Sequence, residues 1–162
     1  MLNVPSCRLE DSFTNLQDSP ILSCAIVGGN YFLTGSMSGQ ITISNLAGEI
    51  VARRRDHNKY VVQIVTLQSG ETTWIATAGW DAKVQLYKLG RADARPALSE
   101  PYATISLQTN PEAILFIEHP ENGHPLLVVT RRDSTHLYYY STEPESILIG
   151  KQNIAPRMEI LT

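Results

Sequence analysis

The sequence predicts an all-β protein built from a repeated unit of four strands. Short runs rich in Val, Ile, Thr and aromatic residues recur between clusters of Gly, Pro, Asn, Asp and Ser. No segment sustains an i, i+3, i+4 apolar pattern with a capping residue before it and glycine behind it. The runs also fall into copies that can be laid over one another.

In chain order the expected strands are 21–27 (ILSCAIV), 31–36 (YFLTGS), 40–46 (QITISNL) and 49–54 (EIVARR). A second set follows at 60–67 (YVVQIVTL), 73–79 (TWIATAG), 83–89 (KVQLYKL) and 102–107 (YATISL). The third set is 113–119 (AILFIEH), 125–131 (PLLVVTR), 135–141 (THLYYYS) and 146–152 (SILIGKQ). Alternation of apolar and polar residues within the runs fits strands with one buried face.

The copies align as follows. Asp18 falls on His57, Thr34 on Thr77, Ser38 on Asp81 and Leu46 on Leu89; Asn110 falls on His57 and Asp133 on Asp81. Extra length in the middle copy is expected in a longer loop, QSGETT (68–73), and in a Pro/Ala-rich surface loop at 90–101. The approximate repeats are 16–55, 56–108 and 109–152, with a tail at 153–162. Four strands in a period of roughly 40–50 residues is the signature of propeller blades. Three blades are fewer than the four to eight of a closed propeller, so an incomplete propeller is expected. The stretch SCRLEDSFTN (6–15) reads as an outer strand leading into the first blade, and the end, SILIGKQNIAPRMEILT, as an outer strand beginning a fourth unit. Open blade edges of this kind favour self-association.

The spacing of His57, Thr77, Asp81 and Tyr87 resembles the WD-repeat β-propeller family. Repeats of that family carry a Gly-His-type turn, a Ser or Thr on the second strand, an Asp in the next tight turn and a closing Trp-Asp. Tyr87 stands here where Trp is usual, and Trp80-Asp81 is not the closing pair; Asp81 is the turn acid and Trp80 precedes it. The first copy carries Asp18, Thr34, Ser38 and Ser44 at these places, and the third Asn110, Val129, Asp133 and Tyr139. The stretches SLQTNPEAILF and RRDSTHLYYY also resemble fungal propeller proteins of no known activity. The resemblance implies a structural hydrogen-bond set of His57, Thr77, Asp81 and Tyr87, with Asp133 as turn acid of the third repeat. It further implies binding of other proteins without chemistry.

Other candidate sites are weaker. A His57–Asp81 pair could serve a nucleophile, but no Ser or Cys sits in a nucleophile motif, and the centre of GSMSG is Met37. His119 and His124 flank PENG; a metal would need two more ligands, so no metal or other cofactor is assigned. GKQ (150–152) lacks the rest of a phosphate loop. Arg53, Arg55, Arg131 and Arg132 are the candidate phosphate contacts, with strand alternation placing Arg53 opposite its neighbours. In YYY (138–140), alternation buries either Tyr139 or its two neighbours, and packing between blades is expected.

Composition bounds the functional class. The 162 residues are 43% hydrophobic and 18% charged, which fits a globular chain. A formal net charge of -3 argues against a general nucleic-acid binder. No apolar run reaches a membrane-span length, and the start lacks the pattern of a secretory signal. Cys7 and Cys24 form no disulfide framework, so an intracellular location, cytoplasmic or nuclear, is expected. The leading reading is a non-catalytic protein-interaction scaffold. The alternatives are a propeller enzyme with its site on loops or in further blades, and a nucleic-acid-associated scaffold.

Overall fold

The computed structural model describes residues 16–90, 96–119, 123–144 and 148–154. These residues form an all-β stack of three four-stranded antiparallel sheets, with no helix among them. The first sheet comprises β1 (Ile21–Val27), β2 (Tyr31–Ser36), β3 (Gln40–Asn45) and β4 (Ile50–Arg55). The second comprises β5 (Val61–Ser69), β6 (Thr72–Gly79), β7 (Lys83–Gly90) and β8 (Ala103–Ser106). The third comprises β9 (Pro111–Ile117), β10 (Leu126–Arg131), β11 (His136–Ser141) and β12 (Leu148–Asn153). Each sheet is an up-and-down meander of sequence neighbours, which is the blade of an incomplete β-propeller.

Alternation decides which side chains meet between sheets. Leu33, Ile41 and Ile43 of the first sheet pack on Val61, Ile64, Ile75, Tyr87 and Leu89 of the second. The other face of the second sheet, with Trp74, Ala76, Val84 and Leu86, packs on Ile114, Phe116, Leu127, Val129, Tyr138 and Tyr140 of the third. Polar bonds fix the stacking: Ser23 Oγ donates to Val61 O (2.8 Å), and Ile114 N donates to Gln63 Oε1 (2.7 Å). At the far end of the second interface, Lys88 Nζ lies 4.3 Å from the Trp74 ring centre and 4.5 Å from that of Tyr102. Tyr102 OH donates to Thr142 O across the gap (2.6 Å).

Several sequence expectations are corrected. QSGETT is no loop: Ser69 pairs with Thr72 and Gln68 with Thr73, so both strands run on to a two-residue turn. Gly70, at φ 59°, supplies the left-handed conformation that the first turn position needs. The 90–101 segment is not wholly superficial, since Leu98 is buried in the core between the first two sheets. The strand near the C-terminus does not begin a fourth unit. β12 pairs with β11 and is the outermost strand of the third sheet. The strand expected at 6–15 lies outside the described residues.

Candidate functional site

The turns joining the second and third strands of each sheet gather at one end of the stack, beside the segments that enter the first strands. In the middle sheet, β6 ends at Gly79 and β7 begins at Lys83, and these two residues pair. Trp80, Asp81 and Ala82 make the turn. Ala82 has a φ of 59°, a conformation that glycine adopts more easily.

His57 lies between β4 and β5 and is fully buried. Its Nδ1 donates to Asp81 Oδ1 at 3.0 Å, and its Nε2 is 2.8 Å from Thr77 Oγ1. Asp81 Oδ2 accepts from Asn58 N at 3.0 Å, so one carboxylate ties the turn to the incoming chain. Burial acts to raise the Asp81 carboxyl, but the bonds from His57 and Asn58 outweigh it and hold it below its ordinary range. Tyr87 lies beside Thr77 and opens a further branch. Its hydroxyl donates to Asp56 Oδ2 at 2.9 Å, and Arg54 grips the same carboxylate through Nε (2.8 Å) and Nη2 (2.9 Å). Burial, followed by the Asp56 charge, pushes the Tyr87 phenol far up, so it stays a donor. Burial likewise opposes ionisation of Asp56, but Arg54 and Tyr87 hold its carboxyl low.

Sequence reasoning missed Asp56, Arg54 and Gly79. A Cβ at Gly79 would stand 2.5 Å from Asp81 Oδ1 and inside contact distance of His57 Nδ1, so only glycine lets the His57–Asp81 bond form. The Asp-His dipeptide after an arginine was the available signal for the Asp56 branch. The arginine run splits by strand alternation, with Arg53 opposite Arg54: Arg54 turns to Asp56, while Arg53 reaches Leu16 O and Arg55 pairs with Asp18.

The outer sheets carry reduced versions. In the first, Ser38 Oγ donates to Asp18 Oδ1 at 2.6 Å, so acid and donor have exchanged places relative to Asp81 and His57. In the third, Asp133 accepts from Thr109 Oγ1 at 2.6 Å, a bond that with Arg131 keeps its carboxyl low despite the opposing effect of burial. Tyr139 does not take the place of Tyr87. Ile75 pairs with Tyr87 and the matching Leu127 with Tyr140, so the third sheet is offset by one residue after its turn. That slip sends Tyr138 and Tyr140 into the core and Tyr139 to the opposite face.

Beside the buried set lies a more accessible one, in which Trp80 is half-buried and Tyr60 and Arg132 are exposed. Tyr60 and Trp80 have ring centres 5.5 Å apart, and Trp80 N donates to Tyr60 O at 2.9 Å. The Arg132 guanidinium, from the third sheet's turn, sits 5.8 Å from the Trp80 ring centre. His119 and His124 do not join a ligand cluster. Among the described residues no three His, Cys, Asp or Glu side chains are grouped to hold a metal ion.

The family model described as UCP007778, beta-propeller domain, matches residues 6–156. The chain belongs to that family. Among solved structures this propeller is similar to the Myceliophteria thermophila Cps50 (Swd1) beta-propeller domain, with a TM-score of 0.67 and 12% identity. The match covers 83% of this chain and 43% of that one, so the propeller here spans less than half its length. The likeness is shared by 453 chains of solved structures, so it marks the fold and no single activity. No curated protein matches the chain.

Proposed function

We propose that the chain is a non-catalytic protein-interaction scaffold of the WD-repeat type, and that Tyr60, Trp80 and Arg132 form its contact surface. The carrying observation is the composition of that cluster. Tyr, Trp and Arg are the residues most enriched at interface hot spots. Tyr60 is 37% exposed and the Arg132 side chain 67%. The Tyr60 and Trp80 rings pack on each other and Arg132 pairs with Glu112 at 3.1 Å, which limits the ordering entropy lost on binding.

The buried set supports a structural role. Thr77 and His57 are fully buried, and both ring nitrogens of His57 are engaged, so no substrate atom reaches them. The arginines do not make one phosphate-binding stripe, because Arg53 and Arg55 are occupied on the first sheet and Arg131 and Arg132 on the third. The low cysteine count supports an intracellular setting, cytoplasmic or nuclear. Partners are other proteins.

The test is quantitative capture on the immobilised protein, comparing wild type with Trp80→Ala/Arg132→Ala. A partner set retained by wild type and lost by the variant, at equal melting temperature, is the expected result. Capture that ignores both substitutions, or turnover of a substrate by the chain alone, defeats the reading.

A further inference from the structure

We infer that the partner segment received by Tyr60, Trp80 and Arg132 is acidic, a conclusion that rests on the contact surface proposed above. Its carboxylates meet Lys59 and Arg132, and an apolar side chain between them packs on the two rings. The two ends of the stack differ in charge, and that difference selects the sign of the partner.

Among the described residues, each carboxylate at the Trp80 end is already engaged. Asp18 accepts from Ser38 and pairs with Arg55. Asp56 is held by Arg54 and Tyr87, and Asp81 by His57 and Asn58. Asp133 accepts from Thr109 and lies 3.6 Å from Arg131, and Glu112 pairs with Arg132. The cations are not used up in the same way. Lys59, next to Tyr60 in the chain, is exposed, and Lys83, just after the Trp80 turn, is half-buried. Neither has an ion pair among the described residues.

The opposite end carries the reverse sign. Four of its strand connections hold an exposed glutamate: Glu49, Glu71, Glu118 and Glu143. Among the described residues, the connections at that end hold no lysine or arginine. A negatively charged segment is therefore repelled there and drawn toward Trp80, and a basic segment the reverse. The Arg132–Glu112 pair does not block the approach. Its side chains are 67% and 44% exposed, so a partner carboxylate can share the guanidinium at little cost. Arginine's planar fork takes a carboxylate through two N–H groups. With Lys59 beside Tyr60 and Arg132 against Trp80, the packed rings fit acidic side chains that have an apolar one between them.

Fluorescence anisotropy with dye-labelled probes and the intact 162-residue protein tests this. A peptide alternating glutamate with leucine should bind, and more weakly as salt rises. The same peptide with lysine for glutamate, and a single-stranded oligothymidylate, should not bind. Lys59→Glu should weaken the glutamate probe about tenfold at low salt, with an unchanged melting temperature. Trp80→Ala/Arg132→Ala should abolish its binding, and Glu71→Lys, at the opposite end, should leave it unaltered. A glutamate probe that does not bind overturns the inference. So does equal or tighter binding of the lysine or nucleotide probe, or binding indifferent to Lys59→Glu or to the double substitution. If the glutamate probe fails while partner capture still depends on Trp80 and Arg132, the contact surface stands and its acidic partner falls.

Discussion

His57 Nδ1 stands 3.0 Å from Asp81 Oδ1, and the closeness of the two depends on the missing side chain of Gly79. One carboxylate thus joins a strand-connecting turn to the segment that enters the same sheet. Removing it strands the buried ring nitrogen of His57 and leaves the exposed Asn58 N–H to water. Asp81→Ala is expected to cost about 1–3 kcal/mol, the usual penalty for unpaired buried groups. Urea unfolding of the purified variant checks it, and an unchanged midpoint would remove the structural role.

Gly79→Ala should destabilise by a route that keeps every polar group. The added methyl would force His57 and Asp81 apart. The loss should overlap that of Asp81→Ala, so the double variant should fall short of the sum of the singles. Full additivity in a double-mutant cycle would place the Gly79 effect elsewhere.

Ala82 offers a change in the opposite direction. Its φ of 59° is left-handed, and the matching position in the first sheet is Gly39, at φ 92°. Ala82→Gly should stabilise by about 1 kcal/mol, a rise of roughly 2–4 °C in melting temperature for a domain of this size. Differential scanning calorimetry checks it; a lowered melting temperature would show that the turn is not strained.

Acid should unfold the protein through the same carboxylates. Asp56 and Asp81 have folded pKa values below the 3.8 of an unperturbed aspartate. The unfolded chain therefore binds more protons as pH drops toward that value. Their contribution is present in full above the unfolded value and is lost as pH falls through the folded ones. Stability measured from pH 6 downward should stay level and then decline below about pH 4. Asp56→Asn/Asp81→Asn should flatten the decline, and an unaltered slope would assign it to other groups.

The strands could be read because each is short, alternates, and is bounded by turn residues. The loop error at QSGETT came from counting extra residues as irregular, when paired threonines simply lengthened a hairpin. Tyr139 was misplaced for a related reason. One additional residue in a turn reverses every later side chain, and nothing in YYY marks which way the run faces. The Asp56–Tyr87 bond and the Tyr60–Trp80–Arg132 cluster join residues from separate elements, and spacing along one repeat carries no sign of them. Trp80 seemed only a neighbour of the turn acid; half-buried, it packs on Tyr60 and lies beneath Arg132.

In the proposed scaffold the buried set is architecture and proteins dock on the surface around Trp80. A photo-crosslinking residue at Lys59, next to Tyr60, measures this directly. The control carries the same group at Glu71, in the turn at the opposite end of the β5–β6 hairpin. Both positions are exposed. Discrete protein adducts are expected from position 59 and none from position 71. Adducts of equal yield from both positions, or from position 71 alone, would contradict it.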